Sequence, residues 1–270
     1  MKKKGFAPLI ITKDIFQNLR MILNLALNDF KARYASSNLG AIWNFVQPMV
    51  TVSIYVFVFQ YGFKSVPVQN VPYVLWLIAG IIPWFFFSDA LTGGTSCLIE
   101  YTYLVKKVVF KIDILPMVKI VAATFIHVFF ILIGVVMYLV SGNGLGIHII
   151  QVLYYSFCTT FLAIGISYFT SAVVVFFRDL GQIVNVVLQF GMWLTPIMWQ
   201  IDMLSPKMQT IMKLNPMYYI TDGYRDAFYN GIWFWEKPTQ SIYFWVFSIL
   251  VFVGGTVVYK KLEKHFADVL

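Results

Sequence analysis

The chain has 270 residues, of which 60% are hydrophobic and only 12% are charged. A soluble domain carries roughly a quarter charged residues, so this composition excludes an ordinary soluble enzyme. The formal net charge is +8, but the cations flank apolar runs and no polar domain presents them. This pattern excludes a nucleic-acid-binding protein and indicates signals of membrane topology.

The first predicted element is an amphipathic helix over residues 13–34. Ile15, Ile22, Ala26 and Phe30 recur at helical spacing, and polar side chains occupy the opposite face. The segment is too polar to cross a membrane, and its apolar stripe suits the boundary between lipid and water. We therefore expect an interfacial helix that lies along the membrane surface.

Apolar runs that alternate with short polar patches fill most of the remaining chain. A helical crossing needs about 20 apolar residues, and continuous rather than alternating runs predict helices rather than barrel strands. The pattern predicts an all-α integral membrane protein with a single transmembrane domain over residues 1–270. The six predicted transmembrane helices cover residues 39–61, 74–98, 116–140, 149–177, 180–199 and 242–259.

The segment between the fifth and sixth predicted spans fits no simple crossing. Met208, Ile211 and Met212 are apolar at helical spacing, and Pro216 punctuates the segment. We expect two short re-entrant helices within residues 205–230 that dip into the outer interface without crossing it. An ordinary extracellular loop is the alternative.

The distribution of lysine and arginine predicts the orientation of the chain. With six spans and the N-terminus inside, the cytoplasmic segments hold fifteen of these cations and the outer segments hold five. Positive charge concentrates on the cytoplasmic side of membrane proteins. Both termini are therefore expected in the cytoplasm.

The sequence contains no motif for hydrolysis or phosphate binding. The pattern G-x-x-x-x-G-K-[ST] is absent, and His127, His148 and His265 are widely scattered. We therefore predict no catalytic residue, no metal site and no cofactor in this chain. Energy for transport would come from another polypeptide or from an ion gradient.

A set of short segments occurs in a recognisable order along nearly the whole chain. These are DFKARY (29–34), LGAIW (39–43), QP (47–48), GIIPWFFFS (80–88), KK (106–107), ILP (114–116), FRD (177–179), WLTPI (193–197) and NPMYY (215–219). Together they resemble the permease subunit of polysaccharide-exporting ABC transporters, the family that moves lipid-linked O-antigen in Gram-negative bacteria and wall teichoic acid in Gram-positive bacteria. Asp89 departs from the neutral polar residue expected after the aromatic run. A charge there requires neutralisation or an aqueous cavity.

The resemblance implies a specific assembly in the bacterial plasma (inner) membrane. Two copies of this chain would form the conduit for a lipid-linked polysaccharide. Two copies of a separate ATP-binding cassette subunit, which holds ATP and Mg, would dock on the cytoplasmic face. This assembly agrees with the missing phosphate-binding loop.

Polar cytoplasmic segments are the candidates for coupling to the ATP-binding subunit. The amphipathic helix and two further segments correspond to the interface and coupling helices that the resemblance implies. The alternative is that their charges only set topology near anionic headgroups. The candidate coupling residues outside the amphipathic helix are Glu100, Lys106, Lys107, Lys111, Asp113, Arg178 and Asp179.

Aromatic residues make up 19% of the chain and suggest a conduit for sugar. Tyr55 and Phe59 share one helical face, and Phe190 and Trp193 share another. The C–H faces of sugar rings can stack on aromatic planes while hydroxyl groups take hydrogen bonds. These four residues are the candidate lining of the substrate channel, and ordinary helix packing is the alternative.

Lys31 and Arg33 end the interfacial helix near the expected point of substrate entrance. A guanidinium group suits a phosphate because its donors lie in one plane. We therefore predict that these residues bind the lipid pyrophosphate. Attraction to ordinary anionic lipid is an equally reasonable alternative.

Three other classes of membrane protein remain open. An ABC exporter of drugs or small lipids would share the topology. A secondary transporter driven by an ion gradient would use midplane ionisable residues, and Asp89 is the only acid placed well inside a span. A membrane-embedded enzyme could use the cluster of Asp222, Arg225 and Asp226, although we expect these three residues to pair with one another at helical spacing.

Overall fold

A computed structural model describes residues 6–33, 39–68, 71–106, 110–142 and 144–270. These residues form helices and no β-strand, and a single isolated bridge pairs Val68 with Val71. The helices are α1 Ala7–Gln17, α2 Leu19–Ala32, α3 Trp43–Val56, α4 Tyr73–Glu100, α5 Thr102–Val105, α6 Leu115–Val140, α7 Gln151–Val174, α8 Leu180–Leu194, α9 Pro206–Met212, α10 Pro216–Arg225, α11 Pro238–Leu262 and α12 Phe266–Val269.

Five helical segments of the described chain are long and apolar enough to cross a membrane. They extend slightly beyond the helices they contain, because short 3₁₀ or π turns continue α3, α6, α7 and α11. The five segments are Trp43–Gly62, Tyr73–Glu100, Ile112–Val140, Ile147–Val174 and Pro238–Val269. They correspond to the first, second, third, fourth and sixth predicted spans, with ends shifted by several residues.

The predicted fifth span, residues 180–199, is helical only over α8. Fifteen residues extend about 22 Å at 1.5 Å per residue, which is less than the roughly 30 Å of the hydrocarbon core. The helix ends before Pro196, and Thr195 and Met198 are buried without helical structure. The sequence alone suggested a longer helix because residues 195–199 are mostly apolar.

The predicted interfacial helix, residues 13–34, is two helices rather than one. α1 begins at Ala7, six residues earlier than predicted, and the chain breaks at Asn18 before α2. Asn18 donates from its side chain to the carbonyl of Asp14 at 2.7 Å, which satisfies the end of α1 locally. Residue 34 lies outside the described residues.

Both N-terminal helices pack on the helical bundle through only part of their apolar surface. Ile22 and Ala26 of α2 are buried against α6, while Leu19, Leu23 and Leu27 remain exposed. The exposed leucines leave an apolar stripe that is compatible with a position at a lipid interface.

The centre of the bundle is α4, most of whose residues are buried among α6, α7, α8 and α10. α7 and α11 approach closely because Gly165 and Gly255 face each other. A Cβ on Gly255 would clash with the carbonyl oxygen of Gly165, and a Cβ on Gly165 would lie 2.9 Å from the backbone nitrogen of Phe252. Small residues allow such backbone contact between membrane helices.

Two short helices, α9 and α10, occupy the segment predicted at residues 205–230. Asn215 caps α10 by accepting from the backbone nitrogen of Met217 at 3.0 Å, and its amide donates to Thr195 at 2.8 Å. Pro216 suits the first turn of α10 because it needs no backbone donor there. α10 packs against α4 and α7.

Candidate functional site

A cavity of about 370 Å³ lies between α3, α4 and α6. Its volume falls in the range of small-molecule sites. The wall combines uncharged polar side chains with aromatic rings, and one ion pair. The polar lining comes mainly from Asn44, Gln47, Thr51, Ser88 and Thr92, and the aromatic lining from Trp43, Phe85, Phe86 and Phe130.

Arg33 and Asp89 form the ion pair at the cavity. One guanidinium nitrogen of Arg33 lies 2.8 and 3.0 Å from the two carboxylate oxygens of Asp89. The charge of Asp89 is therefore neutralised and also placed at a cavity, so both of the alternatives expected from the sequence occur together. Arg33, one of the two residues predicted to bind lipid pyrophosphate, is engaged by a carboxylate in this arrangement, whereas Lys31 is exposed.

The ion pair at the cavity continues into a row of alternating charges. Arg33 also lies 4.0 Å from Asp29 of α2. Lys119 of α6 donates to both Asp29 and Glu100, the last residue of α4. Its side chain is only 7% exposed, so the two carboxylates replace the water that the ammonium group has lost. The row connects the cavity to the predicted coupling residue Glu100.

Tyr101 strengthens the same row. Its hydroxyl donates to Asp29 at 2.8 Å, and the ammonium group of Lys119 lies 5.0 Å from the centre of its ring. These contacts add a hydrogen bond and a cation–π contact to the largely buried pair of Asp29 and Lys119. In the sequence, Lys119 is only one of the fifteen cations expected on the cytoplasmic side, because its partners are distant in the chain.

The predicted coupling residues Lys111 and Asp113 are held against the termini of the protein. Lys111 pairs with Asp14 of α1, and Asp113 pairs with Lys260 of α11. The hydroxyl of Tyr168 donates to the backbone carbonyl of Asp113 at 2.7 Å. Three helices therefore meet at this segment, and a force applied to it would reach all of them.

The remaining coupling candidates lie at the surface or outside the described residues. Lys106, Arg178 and Asp179 are exposed, and the latter two occupy the turn between α7 and α8. Lys107 lies outside the described residues. The structure therefore does not bring all seven candidates into one cluster.

The four aromatic residues predicted to line a channel occupy two different environments. Tyr55 is partly buried, with its hydroxyl 4.0 Å from the sulfur of Met192 on α8. Phe59 is also partly buried, and its ring centre lies 5.5 Å from that of Tyr73. Phe190 and Trp193 are 66% and 58% exposed on one side of α8.

Asn44 and Thr51 of the cavity were not singled out from the sequence, and Gln47 was named only as part of a short segment. Asn44, Gln47 and Thr51 are spaced by three and four positions within an apolar helix. This spacing places polar groups on one helical face, which was the available signal. The burial of Asn44 could not be predicted from spacing alone, because it depends on α2, where the carbonyl of Phe30 accepts a hydrogen bond from the Asn44 amide.

The expected pairing among Asp222, Arg225 and Asp226 is wrong. Both acids pair with Lys237, and the buried Arg225 donates to the carbonyls of Pro196 and Ile197 at 2.8 and 2.9 Å. The indole of Trp76 also lies 3.7 Å below its guanidinium. Burial, followed by the charge of Asp222, raises the pKa of Asp226, while Lys237 opposes that rise. These contacts anchor α10 in the fold.

The chain is similar in sequence to known proteins over nearly its whole length. An O-antigen export system permease protein RfbA from Klebsiella pneumoniae is 29% identical over 264 residues, which cover 95% of this chain and 96% of that protein. A protein of the same name from Myxococcus xanthus is 23% identical over 261 residues, with coverage of 96% and 98%. The sequence profile of the family described as ABC-2 type transporter matches residues 22–229. Since this match includes the cavity, the row of charges and far more than half of the chain, the protein belongs to the ABC-2 type transporter family.

Proposed function

We propose that this protein is the membrane-spanning subunit of an ATP-driven exporter of a lipid-linked polysaccharide, such as O-antigen. The observation that carries the proposal is the similarity, over nearly the entire chain, to permeases named for O-antigen export. The cavity supports the proposal, because hydroxyl, amide and aromatic side chains are the groups that suit sugars.

The proposed topology has six spans, with both termini in the cytoplasm of a bacterium and the chain in its plasma membrane. α8 would provide the fifth crossing together with the buried non-helical residues that follow it. Buried irregular backbone is compatible with membrane depth when protein surrounds it. α1 and α2 would lie at the cytoplasmic interface, and α9 and α10 would form the outer re-entrant segment.

Membership of the family implies an ATP-binding cassette partner. We place two copies of that subunit, with ATP and Mg, below two copies of this chain. Glu100, Lys106, Lys107, Lys111, Asp113, Arg178 and Asp179 remain the proposed coupling residues. The row of charges from Glu100 to Asp89 supports a coupling role, since it would connect a displaced cytoplasmic surface to the cavity.

The conduit would form between the two copies, with Tyr55, Phe59, Phe190 and Trp193 in its lining. The exposure of Phe190 and Trp193 supports this placement, because a second subunit could cover the same side of α8. Lys31 and Arg33 remain the proposed contacts for the lipid pyrophosphate. Exposed Lys31 is ready to contact it, whereas Arg33 would first have to exchange Asp89 for the phosphate.

Reconstitution tests the proposal directly. The chain and its ATP-binding partner, placed together in vesicles, are expected to move a lipid-linked glycan across the bilayer only when ATP is hydrolysed. A matched preparation with a hydrolysis-deficient partner provides the control. Equal movement with and without ATP hydrolysis would contradict the proposal.

A further inference from the structure

The cavity beside Arg33 has an apolar neighbour. A second cavity, of about 320 Å³, lies farther along the same three helices, α3, α4 and α6. The two cavities share Ile82 and Phe130 in their walls. They therefore adjoin at these two side chains, and the polar and the apolar cavity are together called the groove.

The two ends of the groove differ sharply in chemistry. The apolar end is lined almost entirely by aliphatic and aromatic side chains, including Val52, Val74 and Ile133. Such a surface accommodates a hydrocarbon chain through van der Waals packing, since no polar group of the chain has to be satisfied there. The polar end is instead lined by uncharged polar side chains, including Gln47 and Thr51.

The charges at the polar end favour an uncharged head group. Arg33 and Lys119 supply two cations, against the three carboxylates of Asp29, Asp89 and Glu100, so the row of charges carries a net −1. As long as Arg33 is paired with Asp89, a phosphate in the cavity would face uncompensated negative charge, so the proposed pyrophosphate contact requires that this pair first opens. A hydroxyl group can donate to a carboxylate and meets no such repulsion.

We infer that this groove binds an amphiphile with a hydrocarbon chain and an uncharged, hydroxyl-rich head group. The hydrocarbon chain of the amphiphile occupies the apolar end, and its head group occupies the cavity beside Asp89. The inference rests on the two cavities and extends beyond the proposed export function, because binding at the groove requires neither the ATP-binding partner nor translocation.

Photolabelling of the full chain in lipid nanodiscs tests the inference. The probe is dodecyl maltoside with a photoreactive group in its alkyl chain, and labelled peptides are identified by mass spectrometry. We expect the probe to label α3 and α4 at the groove. Excess dodecyl maltoside should reduce this labelling at least fivefold more than excess dodecyl phosphate does. Equal protection by the two competitors would overturn the head-group assignment.

Two substitutions on α3 provide a matched pair. Val52→Trp fills the apolar end and is expected to reduce labelling at least fivefold, whereas Val50→Trp adds the same ring to an exposed position outside the groove. If Val52→Trp does not fold, Met49→Trp at the exposed edge of the groove replaces it. Equal labelling of the groove variant and Val50→Trp would overturn the inference. Normal labelling of the unsubstituted chain, together with its failure to support ATP-dependent export, would count only against the proposed function.

Discussion

Arg33 holds Asp89 through both carboxylate oxygens, at 2.8 and 3.0 Å, although 56 residues separate them in the sequence. Asp89 lies within the most buried helix of the bundle, and Arg33 follows the end of α2. The pair therefore joins a peripheral helix to the central one at the wall of a cavity.

The first prediction concerns the energy of this pair. Arg33→Gln and Asp89→Asn are each expected to destabilise the protein, and the double substitution is expected to cost less than their sum. Because both side chains are partly exposed, the interaction energy should be about 1 kcal/mol. The measurement is the free energy of unfolding, in mixed detergent micelles, of the unsubstituted protein, the two single variants and the double variant. Strictly additive effects would contradict a direct interaction.

The second prediction concerns Lys119. Lys119→Met removes the cation between Asp29 and Glu100 and leaves Asp29 buried without its strongest partner. Loss of one member of a buried ion pair costs about 3–5 kcal/mol, and we expect a loss of that order in the free energy of unfolding. The control is Lys106→Met at an exposed position, which should change stability by less than about 0.5 kcal/mol. Similar effects of both substitutions would show that Lys119 acts only as a surface charge.

The third prediction separates coupling from folding. Combined substitution of Arg178 and Asp179 by Ala is expected to uncouple ATP hydrolysis by the partner from export, with normal amounts of folded protein. Both residues are exposed in a turn, so their loss removes little internal packing. Export per ATP hydrolysed is the measurement, and Lys207→Ala on the proposed outer side is the control. Unchanged export in cells with both substitutions would remove this turn from the coupling surface.

The fourth prediction uses two adjacent glycines of α11. Gly255→Ala places a methyl group against the backbone of Gly165, whereas Gly254→Ala meets open space. Overpacking of a rigid contact costs about 1–3 kcal/mol, and we expect a loss of at least that size for Gly255→Ala. Gly254→Ala should be neutral or slightly stabilising, because alanine favours a helix. Comparable melting temperatures for the two variants would contradict the close approach of α7 and α11.

The sequence predicted the apolar helices well because each depends on local composition. Five segments long enough to cross a membrane occur close to their predicted positions. α8 was predicted too long because composition does not reveal that an apolar stretch after Thr195 is non-helical. The break at Asn18 was missed for a similar reason, since the apolar periodicity continues through it.

The candidate site was less predictable because its contacts join distant residues. The exposure of Lys106, Arg178 and Asp179 agrees with their polar character, but spacing could not reveal that Lys119 is buried between two acids. The cavity depends on three helices that meet only in the folded chain. Its polar groups on α3 were visible as a periodic pattern, whereas its pairing of Arg33 with Asp89 was not.

The amide of Asn215 has a consequence for motion at the outer end of the bundle. One side of that amide accepts from the first turn of α10, and the other side donates to the residue that follows α8. A displacement of α8 along its axis would thus pull α10 with it, and the two would shift as one rigid body. Asn215→Asp would keep the cap but reverse the second bond, because a carboxylate has no hydrogen to donate and the Thr195 hydroxyl would have to donate to it.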